Sequence, residues 1–134
     1  MNMKFRKTLV RLLAGSLLMA SVALHTGCVV VAAGAAGAGA VAYIRGELET
    51  TLEGSLDSVH RASGRAISQL EFVKISDRKD ALSANLVART AQDKKIDIVL
   101  TKTGDNLTKV QIRVGVFGDE ELSRALLDKI KGNL

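Results

Sequence analysis

The 134-residue chain contains no proline and only one cysteine, Cys28. A lone thiol has no partner for an internal disulfide, so Cys28 has a different use or none. The absence of proline fits a compact chain of regular elements joined by tight glycine, asparagine and aspartate turns. Aromatic residues make up 3% of the sequence. A nucleic-acid surface needs lysine and arginine clustered on one face. The sequence shows no basic cluster with interleaved aromatics, so no nucleic-acid partner is expected.

Acidic residues are also absent from the first 27 positions, and this absence explains the net charge of +5. Four of the 19 basic residues lie in that segment: Lys4, Arg6, Lys7 and Arg11. From Cys28 onward, 15 basic residues stand against 14 acidic ones. The basic character therefore belongs to the N-terminus, and the rest of the chain is nearly neutral.

The N-terminal segment has the organisation of an export signal. Residues 1–11 are basic, and residues 12–24, LLAGSLLMASVAL, form an apolar run of 13 residues. This length is typical of a signal peptide and short for a membrane span, which needs about 20 residues. The sequence therefore predicts export out of the cytoplasm.

Small side chains at Thr26 and Gly27 precede Cys28, and this pattern resembles a bacterial lipoprotein signal. The resemblance implies that the thiol of Cys28 receives a diacylglyceryl group and that cleavage follows Gly27. His25 departs from the pattern, which prefers leucine three positions before the cysteine. Residues 1–27 are thus interpreted as a lipoprotein signal peptide, with Cys28 as the lipidation site.

A second interpretation is an uncleaved anchor helix, because no charged residue lies between Leu12 and Ile44. As one helix this run would be about 50 Å long, well beyond the hydrocarbon core of about 30 Å. Residues 32–40 contain only alanine and glycine. We interpret 28–43 as the lipidated cysteine and a tether, with a helix packed through its small residues as the alternative. Residues 37–42 match G-x-G-x-x-A, but the context of a nucleotide-binding loop is missing and no cofactor is predicted.

From residue 44 to 134 the pattern is that of a small folded domain. Residues 46–53 alternate as a strand, and 56–70 have the apolar spacing of an amphipathic helix capped by Ser55. Four alternating segments lie between 72 and 116, with turns predicted at 77–80, at 93–94 and at 104–106. Asp119 begins a final helix. The sequence therefore predicts a two-layer α+β domain of order β-α-β-β-β-β-α, with two helices on one face of an antiparallel sheet.

Few residues of this domain suggest chemistry. His60 is the single histidine after the signal, and neither a catalytic site nor a metal site is predicted. Asp57 lies one turn from His60 and is a candidate to pair with it. The residues Glu47, Glu49 and Glu53 form an acidic row that we interpret as a solvated face, with weak cation or partner binding as the alternative. Arg45 and Arg113 are the anchors to test for an acidic ligand.

Two stretches, RGELE at 45–49 and RVGVFGDEELS at 113–123, are the most specific parts of a family resemblance. The chain resembles a family of small bacterial lipoproteins known as a domain of unknown function, number 3568. The resemblance covers nearly all of the chain after the signal. It implies an envelope lipoprotein without an assigned activity, and it provides no catalytic residues.

The sequence thus predicts a lipid-anchored, non-enzymatic interaction or structural module. Its partners are membrane lipid, through acylated Cys28, and a protein of the cell envelope. The domain is expected to face the periplasm, with the outer membrane favoured over the inner. The alternatives are a periplasmic binder or transport accessory for small ligands, or a protein held by an uncleaved transmembrane helix. An apolar pocket between helices and sheet would favour ligand binding, whereas a filled core with an exposed edge strand would favour interaction.

Overall fold

The computed structural model describes residues 39–134. The predictions for the signal peptide, for Cys28 and for most of the tether lie outside these residues. Within them the chain forms six strands and two helices. In chain order these are β1 Val41–Ile44, β2 Glu47–Glu53, α1 Leu56–Gln69, β3 Val73–Lys79, β4 Ser83–Arg89, β5 Lys95–Gly104, β6 Leu107–Val114 and α2 Glu120–Gly132.

All six strands form one antiparallel sheet in the order β1-β2-β6-β5-β4-β3. The helices pack against each other and against the same face, α1 mainly over β4 and β5 and α2 over β2 and β6. The predicted α+β class is confirmed, and so is the element order from Glu47 onward. Neither helix of residues 39–134 combines the length and apolar character needed to cross a membrane.

One strand, β1, was not predicted, and it includes Val41 to Tyr43 of the segment interpreted as tether. Its sequence VAYI contains no polar residue to alternate with, so the period-two pattern is absent. Pairing with β2 places it in the sheet, from Val41 opposite Thr50 to Ile44 opposite Glu47. The two-residue turn that follows has positive φ at both Arg45 and Gly46. This conformation matches the right-handed twist of a hairpin.

The turn predicted at 77–80 is wrong, because β3 continues through Lys79. The chain reverses instead after Asp80, whose carboxylate accepts the backbone N–H groups of Leu82 and Ser83 at 2.8 Å each. The misleading signal was the polar run DRKD, which is typical of a turn. An edge strand also tolerates such residues, because its outer side is solvated.

The core lies between the two helices and one face of the sheet. The central row is formed by cross-strand neighbours, with Leu48 opposite Ile112, Ile112 opposite Ile98 and Ile98 opposite Leu86. All four are fully buried. The helices contribute the buried residues Leu56, Val59, Ala62, Ala66, Ile67, Leu126, Leu127 and Ile130. Throughout residues 39–134, every buried side-chain nitrogen and oxygen has a hydrogen-bond partner.

Both helices begin at the predicted caps. The Ser55 side chain accepts the N–H of Ser58 at 3.2 Å, and the Asp119 side chain accepts that of Leu122 at 3.0 Å. Each bond satisfies one of the free N–H groups of a first helical turn. The two helix starts are therefore fixed by local sequence, which orients their polar faces relative to the sheet.

Candidate functional site

The sheet face opposite the helices carries complementary charges on β2 and β6. Glu47 lies 3.6 Å from the Arg113 guanidinium, and Glu49 lies 3.1 Å from the Lys109 ammonium. The Gln111 amide donates to Glu47 at 2.8 Å. Two of the three residues of the predicted acidic row, Glu47 and Glu49, are therefore partnered from the neighbouring strand, and Glu53 is exposed at the end of β2. Within residues 39–134, no three histidine, cysteine or acidic side chains are grouped as metal ligands.

Arg45 and Arg113, the predicted anchors for an acidic ligand, do not form one site. Arg45 is exposed on the β1–β2 turn, while the Arg113 side chain extends toward Glu47 on the open sheet face. The surface depression lined by Arg113 does not include Arg45. An ion-paired guanidinium is less available to a ligand because its charge is already matched.

His60 pairs with Asp77 of β3 and not with Asp57, its neighbour on the helix. Its Nε2 lies 2.6 Å from one oxygen of Asp77, and the Lys74 ammonium lies 3.0 Å from the other. Partial burial acts to raise the pKa of Asp77, but the bonds from His60 and Lys74 outweigh it and lower the pKa below its usual value. Asp57 pairs with Lys79, and the hydrogen bond from Lys79 lowers the pKa of Asp57. These contacts connect α1 to β3 by polar bonds.

Strand β3 is an outer edge of the sheet and is exposed along most of its length. Val73 and Ile75 are 63% and 56% exposed, although both are large apolar residues. The register shifts between Lys74 and Ser76, which marks a bulge. A bulge together with lysine and arginine on an edge discourages pairing with a second copy of the same strand.

Four surface depressions over residues 39–134 each include at least two charged side chains. One of them is a shallow, widely open depression between α1 and β3, with a volume of about 450 Å³. We call it the α1–β3 groove, and it is lined by Arg61, Gly64, Arg65, Ser68, Gln69 and Lys74. The groove was not predicted from the sequence. Its local signals are a pair of arginines four residues apart on the polar face of the helix, and Gly64 between them.

Asp119 supports a stability prediction, since its carboxylate both caps α2 and binds Lys94. Its Oδ2 accepts from the Lys94 ammonium at 2.8 Å, and its Oδ1 accepts the N–H of Leu122. Asp119→Ala removes both bonds, and we expect it to lower the free energy of unfolding by about 1 kcal/mol, the usual value of an N-cap. Urea denaturation at neutral pH measures the change. Asp119→Asn keeps an acceptor at the cap, so it should cost less than Asp119→Ala.

The same contacts predict a pH dependence. The hydrogen bond from Lys94, followed by that from Leu122, lowers the pKa of Asp119 below its ordinary 3.8. A lowered folded-state pKa stabilises the fold above the unfolded value and loses that contribution as pH falls through the folded value. Wild-type stability should therefore decline more steeply below about pH 4 than that of Asp119→Asn. Parallel stability curves for the two proteins from neutral to acid pH would contradict this assignment.

These features define a small two-layer α+β domain whose charges are largely joined in surface ion pairs. The chain belongs to the family described as "Protein of unknown function (DUF3568)", whose model matches residues 9–133. The predicted membership of the family of unknown function number 3568 is thereby confirmed. No curated protein matches the chain.

Proposed function

We propose that this protein is a lipid-anchored, non-catalytic interaction module of the bacterial cell envelope. Its anchor is acylated Cys28, and its folded domain faces the periplasm, with the outer membrane favoured. The observation that carries the interaction role is the exposed edge strand β3 beside a closely packed core. The N-terminal pattern before Cys28 supports the anchor.

The packing between the layers favours interaction over binding of a small ligand inside the fold. A ligand between helices and sheet would need space beside residues such as Ile98, Ile112 and Leu126. All three side chains are fully buried within one apolar cluster. Ligand pockets are usually concave and largely preformed, so a packed interior speaks against the transport-accessory alternative. A filled interior therefore favours binding of a partner on the surface of the domain.

Strand β3 offers a partner an extended edge of about 23 Å, at about 3.3 Å for each of its seven residues. Addition of a strand to such an edge is a recurrent mode of peptide recognition, with main-chain bonds providing affinity. The exposed Val73 and Ile75 add apolar area on that edge. The bulge after Lys74 and the exposed Arg78 disfavour pairing with a second copy of β3. The ammonium groups of Lys74 and Lys79 are matched by Asp77 and Asp57, so they add little to this repulsion.

The anchor is tested by Cys28→Ser. We expect wild-type protein to carry the mass of a diacylglyceryl group on a chain beginning at Cys28, and to sediment with membranes. The variant should lose both the added mass and the cleavage, because the thiol is the acyl acceptor. Intact-mass spectrometry and membrane fractionation measure these outcomes.

His25→Leu is the matched control, since it restores the lipoprotein pattern without touching the thiol. It should be processed at least as completely as wild type. If wild type retains residues 1–27 and sediments with membranes regardless of Cys28, the protein is held by an uncleaved helix and the lipid anchor is wrong.

The interaction role is tested by photocrosslinking in intact envelopes. A photoreactive phenylalanine analogue at position 73 should yield a discrete adduct, because this side chain is exposed on the β3 edge. The control position is Glu121, exposed on α2 and remote from β3 in the topology. Equal adduct patterns at both positions, or no adduct at position 73, would argue against β3 as the contact.

A further inference from the structure

We propose that the α1–β3 groove binds a phosphate group. The site consists of the Arg61 and Arg65 guanidiniums, the Lys74 ammonium and the open helix surface at Gly64 between them. The site belongs to the folded domain, so it stands independently of the lipid anchor and of the β3 contact proposed above. The ligand is identified by its chemistry, as a dianionic phosphate monoester or inorganic phosphate.

Arg61 and Arg65 present two positive charges on the exposed side of α1. Asp57 lies one turn before Arg61 and offsets part of its charge, since Arg61, after Lys79, also acts to lower the pKa of Asp57. The two arginines lie four residues apart on one face of α1, and both are exposed. Over residues 39–134, neither guanidinium takes part in an ion pair, whereas Arg89, Arg113 and Arg124 each do. Like charges at this spacing destabilise a helix. A bound anion would turn this repulsion into two charge-assisted contacts.

Lys74 borders the groove from β3, with its charge already paired to Asp77 at 3.0 Å. Its partner Asp77 is also held by His60, so that carboxylate has a positive or donor group on each oxygen. Within the described residues, the positive charges that line the groove without an ion-pair partner are those of the two arginines. A phosphate monoester carries about −1.5 to −2 at pH 7 and matches two guanidiniums, whereas a single carboxylate matches one. The charge balance therefore favours phosphate over a carboxylate ligand.

Gly64 is the second observation that points to a ligand. It lies in the middle of α1, where glycine is less favourable than alanine. A Cβ built at Gly64 would meet no heavy atom within 4 Å, so packing gives no reason for the glycine. The missing side chain leaves room for an anion to approach the helix between the arginines. Ser68, whose hydroxyl donates to the Gly64 carbonyl at 3.2 Å, adds a further polar group at the same place.

The test uses the full chain, isotope-labelled and reconstituted in phosphatidylcholine nanodiscs, with inorganic phosphate as the probe at constant ionic strength. We expect saturable backbone chemical-shift changes confined to residues 61–74. Arg61→Gln/Arg65→Gln should weaken binding by about ten-fold or more, since two charge-assisted contacts are lost. The charge-matched control Lys129→Gln/Lys131→Gln, on α2, should bind as wild type does.

Gly64→Ala separates a binding role from a structural one. It should raise the melting temperature by about 2–6 °C, because alanine favours the helix, yet weaken phosphate binding by about three-fold or more through the added methyl group. A stabilised variant with unchanged affinity would remove Gly64 from the site. Equal affinities for wild type and the arginine double variant would overturn the whole proposal.

A second set of nanodiscs, containing phosphatidate and no free phosphate, distinguishes a lipid headgroup from a soluble phosphate. Shifts at residues 61–74 in this set assign the site to the headgroup, and shifts only with added inorganic phosphate assign it to a soluble ligand. Both results support phosphate recognition. An absence of shifts in both sets would show that the groove does not bind phosphate.

Discussion

Replacing Gly118 with alanine is expected to destabilise the domain by about 3 kcal/mol or more, from backbone strain together with overpacking. Gly118 has a φ of +86°, a conformation that side-chain-bearing residues rarely adopt. A Cβ at this position would also overlap the backbone of Gly46 and the Tyr43 hydroxyl. The backbone atoms cannot move away without separating the β1–β2 turn from the loop that follows β6. Urea denaturation at neutral pH measures the loss as a lower midpoint with an unchanged slope.

Gly115→Ala is the matched control for this prediction. Gly115 lies in the same loop with a similar φ of +71°, but a Cβ there would meet nothing within 4 Å. It should therefore cost only the backbone strain, about 1 kcal/mol. The difference between the two variants isolates the close approach to Gly46. Equal losses would show that the two loops are not held in contact in solution.

This contact joins the two stretches on which the family resemblance is based. Gly46 lies within residues 45–49, and Gly118 lies within residues 113–123. The stretches are separated by most of the domain in sequence, yet β2 and β6 are neighbours in the sheet and their adjoining loops meet. Glycine is therefore required at both positions for steric reasons, since a side chain at either one would prevent the close approach of the two backbones. A structural explanation of this kind needs no ligand at that end of the sheet.

The sequence predicted elements where burial imposes a clear period. Strand β6 alternates because one face covers the core and the other is solvated, and α1 shows its stripe from Leu56 to Ile67 for the same reason. The period fails at the edges of the sheet. Strand β1 contains no polar alternation, and β3 contains charges on both faces. Edge strands are only half enclosed, so burial dictates less of their sequence.

The α1–β3 groove escaped prediction because it depends on which elements become neighbours. Arg61 and Arg65 alone are two solvated residues on a helix, and Lys74 alone is a charge on a strand. They meet only because β3 folds back as the edge strand beside α1, with His60 and Asp77 bonding across the gap. The sequence gives the pair of arginines and the unexplained Gly64. Lys74 lies opposite them because of the sheet topology, and the spacing of residues along a helix does not predict that topology.

Ile98→Ala is expected to lower the free energy of unfolding by about 2–5 kcal/mol, a large share of the 5–15 kcal/mol typical of a domain. Ile98 is fully buried on β5, between Ile112 of β6 and Leu86 of β4. Both neighbours are fixed by strand pairing on either side, so the sheet cannot collapse into the space that alanine leaves. The loss should appear in urea denaturation as a lower midpoint.

Val99→Ala is the control, because Val99 is the next residue on the same strand and lies half-buried on the open face. It removes a smaller apolar group from a surface that remains in contact with water, so it should cost about 1 kcal/mol or less. Comparable losses at positions 98 and 99 would show that the open face is covered in solution, and that a partner or a second copy occupies it. If only Ile98→Ala lowers the free energy of unfolding substantially, the stabilising apolar contacts of β5 lie on the side covered by the two helices. This result would leave the open face, with its paired Glu47 and Arg113, as a solvated surface whose charges are matched within the sheet.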